Sequence, residues 1–288
     1  MNLAPVTAII ISYNTCELTH KALTALLAGS IVPRQIIVVD NNSIDGSAEM
    51  VMENFPGVQF IKNPENIGFA RANNLAIRDL AKEEFIWLLN SDTEVGKNSL
   101  VDALTYLEAN TAIAGVEPTL VYPNGSLQSV GGYFPNILNV FYYLVPVGYL
   151  LPISLKQRLK SIALFPQSIS AAGIELDYIT GAAAIFRREV LDQVGLLGAE
   201  YFMYFEETDL CYRIARAGYK LMGIKTDPVM HVYGGSFKGK ADDKRLRMFL
   251  SSLELFVKKN YSKWYAQIII LEIRLFGELS IFLKGLRQ

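Results

Sequence analysis

The first half of the chain alternates between short apolar runs and stretches with helical spacing. "VTAIIIS" (6–12), "QIIVVD" (35–40), "GVQFIK" (57–62) and "FIWLLN" (85–90) are β-branched or aromatic runs of strand length. "CELTHKALTALLAG", "SIDGSAEMVMENF", "FARANNLAIRDLAK" and "NSLVDALTYLEAN" follow them in turn, with apolar residues spaced for one helical face. Runs this apolar predict strands buried on both faces, hence a parallel sheet with right-handed helical crossovers. The expected fold is therefore α/β, an open and mostly parallel Rossmann-like sheet flanked by helices, and such sheets bind ligands beyond the carboxyl ends of their strands.

Past residue 115 the alternation stops. "GSLQSVGGYF" (125–134) predicts a hairpin, "YITGAAAIFRREVL" (178–191) a strand entering a short helix, and two helices are expected over Asp242 to Asn260 and from Ser262 onward. This divides the chain into a main domain over 1–240, with an apolar insertion at about 134–170, and a helical extension over 241–288.

Charge excludes one class of partner. With 27 basic and 28 acidic residues the net charge is −1, so no one-sign field invites nucleic acid. Cys16 and Cys211 lack metal-type spacing and fit a reducing compartment, and the N-terminal apolar run is too short and lacks the basic flank of a signal peptide, so a cytosolic protein is expected. Mean hydropathy is +0.24, high for a soluble chain with this many helices. The excess lies in Asn136 to Leu155, broken by Pro146 and Pro152, and in Trp264 to Leu286, which carries Glu272, Arg274 and Glu278. Neither is a clean spanning helix, so each reads as a segment on the membrane face, a helix packed on the core, or an oligomer interface.

Polar residues gather at three strand ends: Ser12, Tyr13 and Asn14; Asp40, Asn41, Asn42 and Ser43; Asn90, Ser91 and Asp92. No G-x-G-x-x-G follows the first strand and no P-loop occurs, which argues against a dinucleotide enzyme and a P-loop NTPase. Asp92 can hold a hard cation such as Mg²⁺ or Mn²⁺, or cap a turn. In "NPENIGFARANN", Gly68 permits close backbone approach and Arg71 can meet a phosphate. In "YFMYFEETDLCYR" (201–213), Glu206, Glu207 and Asp209 follow an aromatic run that would raise a carboxyl toward a general base's range. The same acids could oppose the helix dipole, with Asp209 and Arg213 forming a pair one turn apart. His231, in "DPVMHVYGGS", is one of two histidines and a candidate metal ligand.

These motifs, in this order from Val6 to Ser236, together resemble the family 2 glycosyltransferases of GT-A fold, and within them the bacterial rhamnosyltransferase-like branch. The resemblance implies inverting transfer of a sugar, with rhamnose fitting the branch, from dTDP-rhamnose or a UDP-sugar to a glycan or lipid-linked acceptor in surface polysaccharide synthesis. It implies a nucleoside site at Ser12, Tyr13, Asn14, Asp40 and Asn42, with Asn66, Gly68, Arg71, Asn90 and Ser91 also on the donor. Asp92 and His231 would hold Mg²⁺ or Mn²⁺. Glu207 would be the base, with Glu206 beside it and Asp209 the third acid, and Tyr201, Tyr204 and Phe205 would stack on the acceptor. Two departures stand out: the D-x-D motif reads Asn90, Ser91, Asp92, and the base position holds Glu207 where many relatives have Asp. A sugar nucleotidyltransferase is disfavoured because "SYNTCELTH" has no glycine to cradle a triphosphate, and a sugar-nucleotide binding protein without turnover is the non-catalytic alternative.

Overall fold

The computed structural model describes residues 2–144, 169–170, 172–232 and 242–285. Most of the expected apolar insertion and the Gly-Gly loop after His231 lie outside the described residues. The expected units form as β1 (Leu3–Ser12), α1 (Cys16–Leu27), β2 (Val32–Asp40), α2 (Ser47–Asn54), β3 (Gln59–Lys62), α3 (Phe69–Asp79), β4 (Phe85–Asn90) and, after the two-residue β5 (Thr93–Glu94), α4 (Ser99–Ala109). There follow β6 (Ile113–Glu117), β7 (Leu120–Val121), β8 (Gly131–Gly132), α5 (Ile137–Leu144), β9 (Ile174–Leu176), β10 (Tyr178–Ile179), β11 (Ile185–Arg187) and α6 (Arg188–Val194). The last are α7 (Glu206–Arg216), β12 (Lys220–Gly223), β13 (Val229–His231), α8 (Asp242–Asn260) and α9 (Lys263–Gly285).

The main sheet has the order β3-β2-β1-β4-β11-β6-β12-β9, with β11 and β9 antiparallel to the other six strands. Register sets Ser12 of β1 beside Asp40 of β2, and Ile11 beside Asn90 of β4, so the three polar ends share one edge. The predicted hairpin forms five residues early. Its turn is Tyr122 to Ser126, where the Tyr122 amide donates to the Ser126 carbonyl at 2.8 Å, because Pro123, Asn124 and Gly125 are the stronger turn formers. Gly131 and Gly132 instead pair with Tyr178 and Ile179.

A second apolar cluster lies beside the sheet. Val140 and Leu144 of α5, Tyr201 and Phe205 before α7, Leu253 and Phe256 of α8, and Ile269 and Ile270 of α9 are all buried in it. The described part of the first apolar segment and one face of α9 therefore pack into this cluster beside α7, as the packed-helix reading expected. Another face of α9 is open: Trp264, Ile268, Leu271 and Leu275, at helical spacing, remain exposed. Among the described residues no helix is long and apolar enough to cross a membrane.

α8 is tied to α7 through Asp209, which has no exposed surface. The Asp209 carboxylate accepts from Arg213 Nε at 3.0 Å, Lys259 Nζ at 3.0 Å, Asn260 Nδ2 at 2.9 Å and the Tyr201 hydroxyl at 3.3 Å. Burial pushes this carboxyl up, but Asn260, Lys259 and Arg213 outweigh it and hold it below the ordinary range. Its stabilisation is then present above the unfolded-state value and is lost as pH falls. Asp209→Asn is expected to lower stability by about 2 kcal/mol at neutral pH, discounted for the partly exposed Lys259, with the difference from wild type closing on acidification. Urea unfolding at a series of pH values measures this.

Candidate active site

The donor edge is built from backbone turns locked by side chains. Asp40 accepts from the Ser43 amide at 2.9 Å and from the Ser43 hydroxyl, while the Asn14 amide donates to Ser43 Oγ at 2.9 Å. Asn14 Oδ1 in turn accepts from the Ile44 amide at 2.9 Å, so the loops after β1 and β2 form one unit. Asn14 and Asn42 are left-handed, at φ +52 and +67, a conformation asparagine tolerates. Ser12 and Ser91 are internal: their hydroxyls form a chain through Thr15 and Thr19, with Ser12 to Thr15 at 3.2 Å and Thr15 to Ser91 at 3.1 Å. Those two side chains staple β1 to β4, whereas Tyr13 and Asn42 are exposed on the same edge.

The turn before α3 joins this edge. Asn41 Nδ2 donates to the Gly68 carbonyl at 3.3 Å, and the Gly68 amide donates to Asn66 Oδ1 at 3.0 Å. Gly68 lies at φ +83, and a Cβ there would come within 3.0 Å of the Phe202 carbonyl, so only glycine fits. Arg71 is exposed and donates to the Ala199 carbonyl at 3.1 Å. Asn74, which sequence reasoning missed, clamps the Leu197 backbone with bonds of 2.8 and 3.0 Å. α3 thus touches the donor edge at one end and the approach to α7 along its side.

Beyond β4, the small sheet β5-β13-β7 sets His231 beside Asp92, with the Val232 amide donating to the Asp92 carbonyl at 3.0 Å. His231 Nε2 lies 3.3 Å from Asp92 Oδ1 and 3.4 Å from Asn90 Nδ2. Gln128, also missed from sequence, orients the ring: its amide nitrogen donates to the His231 carbonyl at 2.5 Å, which leaves Oε1 to accept from Nδ1 at 3.0 Å. That assignment turns the Nε2 lone pair toward a carboxylate. A divalent cation fits between such groups, an imidazole nitrogen and a hard oxygen, with Gln128 as the outer partner. Among the described residues no third His, Cys, Asp or Glu joins the set.

The acids of α7 sit at the other side of β4. The Asn90 amide donates to the Ala182 carbonyl at 2.9 Å, and a Cβ on neighbouring Gly181 would lie 3.6 Å from the Glu207 side chain. Glu206 is 6% exposed, and the Oε2 atoms of Glu206 and Glu207 are buried without a hydrogen-bond partner among the described residues. Burial, and then the Glu207 charge, push Glu206 well above the ordinary carboxylate range. Burial also raises Glu207, against the pull of the first amides of α7 and of the Glu206 and Thr208 side chains. Both carboxyl groups are therefore held above the ordinary carboxylate range, Glu206 by burial and its neighbour's charge and Glu207 by burial. Asp209 is not available as a base, since its partners on α8 occupy it.

Two further departures from the sequence reading concern the aromatic run. Tyr201 is 2% and Phe205 7% exposed. Their faces are covered, Phe205 by Phe249 and Phe256 at 5.2 and 5.5 Å between centroids and Tyr201 by Lys259 at 5.8 Å, so neither is open to an acceptor. Tyr204 packs on Phe249 at 5.9 Å, and the exposed aromatic is Phe202, against Gly68. Tyr204 and Phe205 are both left-handed, at φ +66 and +68, a strained entry to α7 held by this aromatic packing.

Glu117, at the end of β6, is the remaining missed group. It is fully buried and accepts from the Gly181 amide at 2.9 Å and the Ala183 amide at 2.7 Å. Burial pushes its carboxyl up to about 8, opposed by those two amides. The signal was a lone acid closing the apolar run "IAGVE".

The model for the family described as "Glycosyl transferase family 2" matches residues 7–195. The chain belongs to this family. Among its relatives is the N-acetylglucosaminyl-diphospho-decaprenol L-rhamnosyltransferase of Mycobacterium tuberculosis, 23% identical over 268 residues, covering 89% of this chain and 85% of that protein. Rhamnosyltransferase WbbL of Escherichia coli (strain K12) is 22% identical over 229 residues, covering 77% and 81%. In fold, this glycosyltransferase is similar to the mannosyltransferase PcManGT of Pyrobaculum calidifontis, solved with GDP-Man and Mn²⁺, at TM-score 0.62 and 17% identity over 96% of this chain and 72% of that one. It is also similar to S. aureus TarS (residues 1–349), at TM-score 0.53 and 14% identity over 94% of this chain and 70% of that one. The fold is that of the GT-A glycosyltransferases.

Glu117→Gln in this glycosyltransferase would set an amide NH₂ against one of the two backbone donors, leaving it unsatisfied at a cost of about 1–3 kcal/mol. The expected outcome is a lower melting temperature and a turnover rate reduced about tenfold, with nucleotide affinity unchanged. Calorimetry and steady-state kinetics on the same preparation check both.

Proposed function

We propose that this chain is an inverting glycosyltransferase that moves a sugar, with rhamnose the best fit, from a nucleoside diphosphate to a hydroxyl of a glycan or lipid-linked acceptor in bacterial surface polysaccharide synthesis. The observation that carries this is the buried Glu206–Glu207 pair, with two oxygens unpartnered among the described residues, one short segment from the end of β4, beyond which Asp92 lies beside His231 of β13. Rhamnose is supported by the relatives' names, and a UDP-hexose is the second reading, favoured by GT-A neighbours solved with UDP.

In this reading Tyr13 and Asn42 receive the nucleoside, the Gly68 backbone comes close to the diphosphate, and Asp92 and His231 hold Mg²⁺ or Mn²⁺. When bound, the cation neutralises charge on the departing diphosphate. Glu207 takes the acceptor proton as that oxygen forms its bond to the anomeric carbon. The bond from that carbon to the diphosphate oxygen breaks on the opposite face, and its electron pair leaves with the diphosphate. One displacement with one base inverts the centre. Glu206, protonated, keeps the site's charge at one.

A panel of sugar nucleotides, with and without Mn²⁺ or Mg²⁺, tests the reading through nucleoside diphosphate release and the anomeric configuration of the product. Metal-dependent inverted transfer from one donor is expected, and Glu207→Gln should lower it at least about a hundredfold while donor binding persists. Retained turnover in that variant would move the base to Glu206. Release with retained configuration, or none from any donor in the presence of lipid-linked acceptors, would contradict the assignment.

The exposed stripe of α9 supports peripheral contact with the cytoplasmic face of a membrane. Leu271 and Leu275 are 56% and 61% exposed. Burying a leucine is worth about 1.5–3 kcal/mol, so Leu271→Ser with Leu275→Ser should cut co-sedimentation with phosphatidylglycerol vesicles more than about tenfold. Undiminished sedimentation would remove α9 from the membrane contact.

A further inference from the structure

The aromatic run that leads into α7 uses three of its rings for packing. Tyr201 and Phe205 are buried, and Tyr204 packs on Phe249. Phe202, 54% exposed, is the fourth. A single exposed apolar side chain is ordinary on a protein surface, so the place of this one decides what it signifies.

The backbone that carries Phe202 is held from two sides. From α3, Asn74 clamps the Leu197 backbone with bonds of 2.8 and 3.0 Å, and Arg71 donates to the Ala199 carbonyl at 3.1 Å. From α8, Ser252 Oγ donates to the Met203 carbonyl at 2.8 Å. The Phe202 ring would lie 3.3 Å from a Cβ on Gly68, so it rests against the donor turn. Four residues later the same loop delivers Glu206 and Glu207. The one open ring of the run therefore stands on a fixed backbone between the donor turn and the acids.

The ring also selects a chemistry. A phenyl group has no charge and no hydrogen-bond donor, so it does not recognise a diphosphate. Its electron-rich face attracts polarised C–H groups, and a pyranose presents these on the flat of its ring, between hydroxyls that point outward. The nucleoside, at Tyr13 and Asn42, lies at another part of the donor edge. Of the two sugars that the reaction joins, the acceptor is the one whose hydroxyl must meet Glu207. Phe202 shares its loop with that acid. With only two side-chain torsions and a held backbone, the ring loses little freedom when a sugar covers it.

We propose that Phe202 is the platform on which the pyranose ring of the acceptor stacks, setting the angle at which its hydroxyl approaches Glu207. The proposal rests on the transferase reading given above, and it makes Phe202 a binding and positioning residue with no part in proton transfer.

The probes are methyl pyranosides of glucose, galactose, mannose, rhamnose and N-acetylglucosamine, with acyclic glucitol as the control, and saturation-transfer NMR on the full chain reads their binding. At least one pyranoside should bind, with the strongest transfer on its ring C–H protons, and glucitol should not. Phe202→Leu keeps an apolar contact on Gly68 but no flat face, and should weaken that binding about tenfold, while Phe202→Tyr and Phe202→Trp should keep it. Affinities for dTDP-rhamnose and UDP-glucose, and the melting temperature, should match wild type in Phe202→Leu, which separates the platform from the donor site and from misfolding. Three results would overturn the proposal: silence from every pyranoside, binding that Phe202→Leu leaves intact, or sugar-nucleotide affinity that falls in step, which would give the ring to the donor. Pyranoside binding lost in Phe202→Leu, in a protein that transfers no sugar, would leave the platform standing while the transferase reading fell. Transfer with an unchanged acceptor kcat/KM in that variant would do the reverse.

Discussion

Two adjacent carboxyl groups buried at the start of one helix form the constraint on which the rest of this structure depends. Two neighbouring charges in a dry site cannot both persist, so one proton stays with the pair and one carboxylate is poised above its ordinary range. Keeping them there requires the chain to enter α7 through two left-handed aromatic residues, Tyr204 and Phe205, a conformation that persists only where the surroundings over-determine it. Phe249 and Phe256 of α8 supply that surrounding, and Asp209, one turn further along α7, fastens the two helices by charge.

The two buried carboxyl groups therefore depend on residues about fifty positions later. The C-terminal helices are no simple appendage to the sheet, because the second apolar cluster is continuous from Tyr201 and Phe205 to Ile270. The opposite wall depends on Glu117, whose two amide bonds shape the segment between Asn90 and Glu207. One buried acid thus orders the backbone that faces another.

Much of this was legible in the sequence where local chemistry decides the outcome. Apolar runs without alternation marked the parallel strands, and "NNS", "NSD" and "EE" marked the strand ends and the acids. What escaped was what only tertiary contacts decide. Asp209 is chemically equal to Glu206 in a string of letters, and only Lys259 and Asn260, distant in sequence, make it an anchor. Tyr201 and Phe205 looked ready to stack on a sugar, yet the apolar face of α8 covers them, leaving Phe202 as the open ring. Gln128 gave no signal in a polar turn, since its role depends on a strand pairing a hundred residues away.

The central claim is that Glu207 is the base and Glu206 its proton-holding neighbour. The most direct measurement is the pH dependence of kcat/KM for Glu206→Gln against wild type. Glu206→Gln exchanges a carboxyl donor to Glu207 for a weaker amide donor, so the acid limb should move to higher pH while turnover at neutral pH persists. A limb moved to lower pH, or loss of turnover as complete as in Glu207→Gln, would contradict this division of roles.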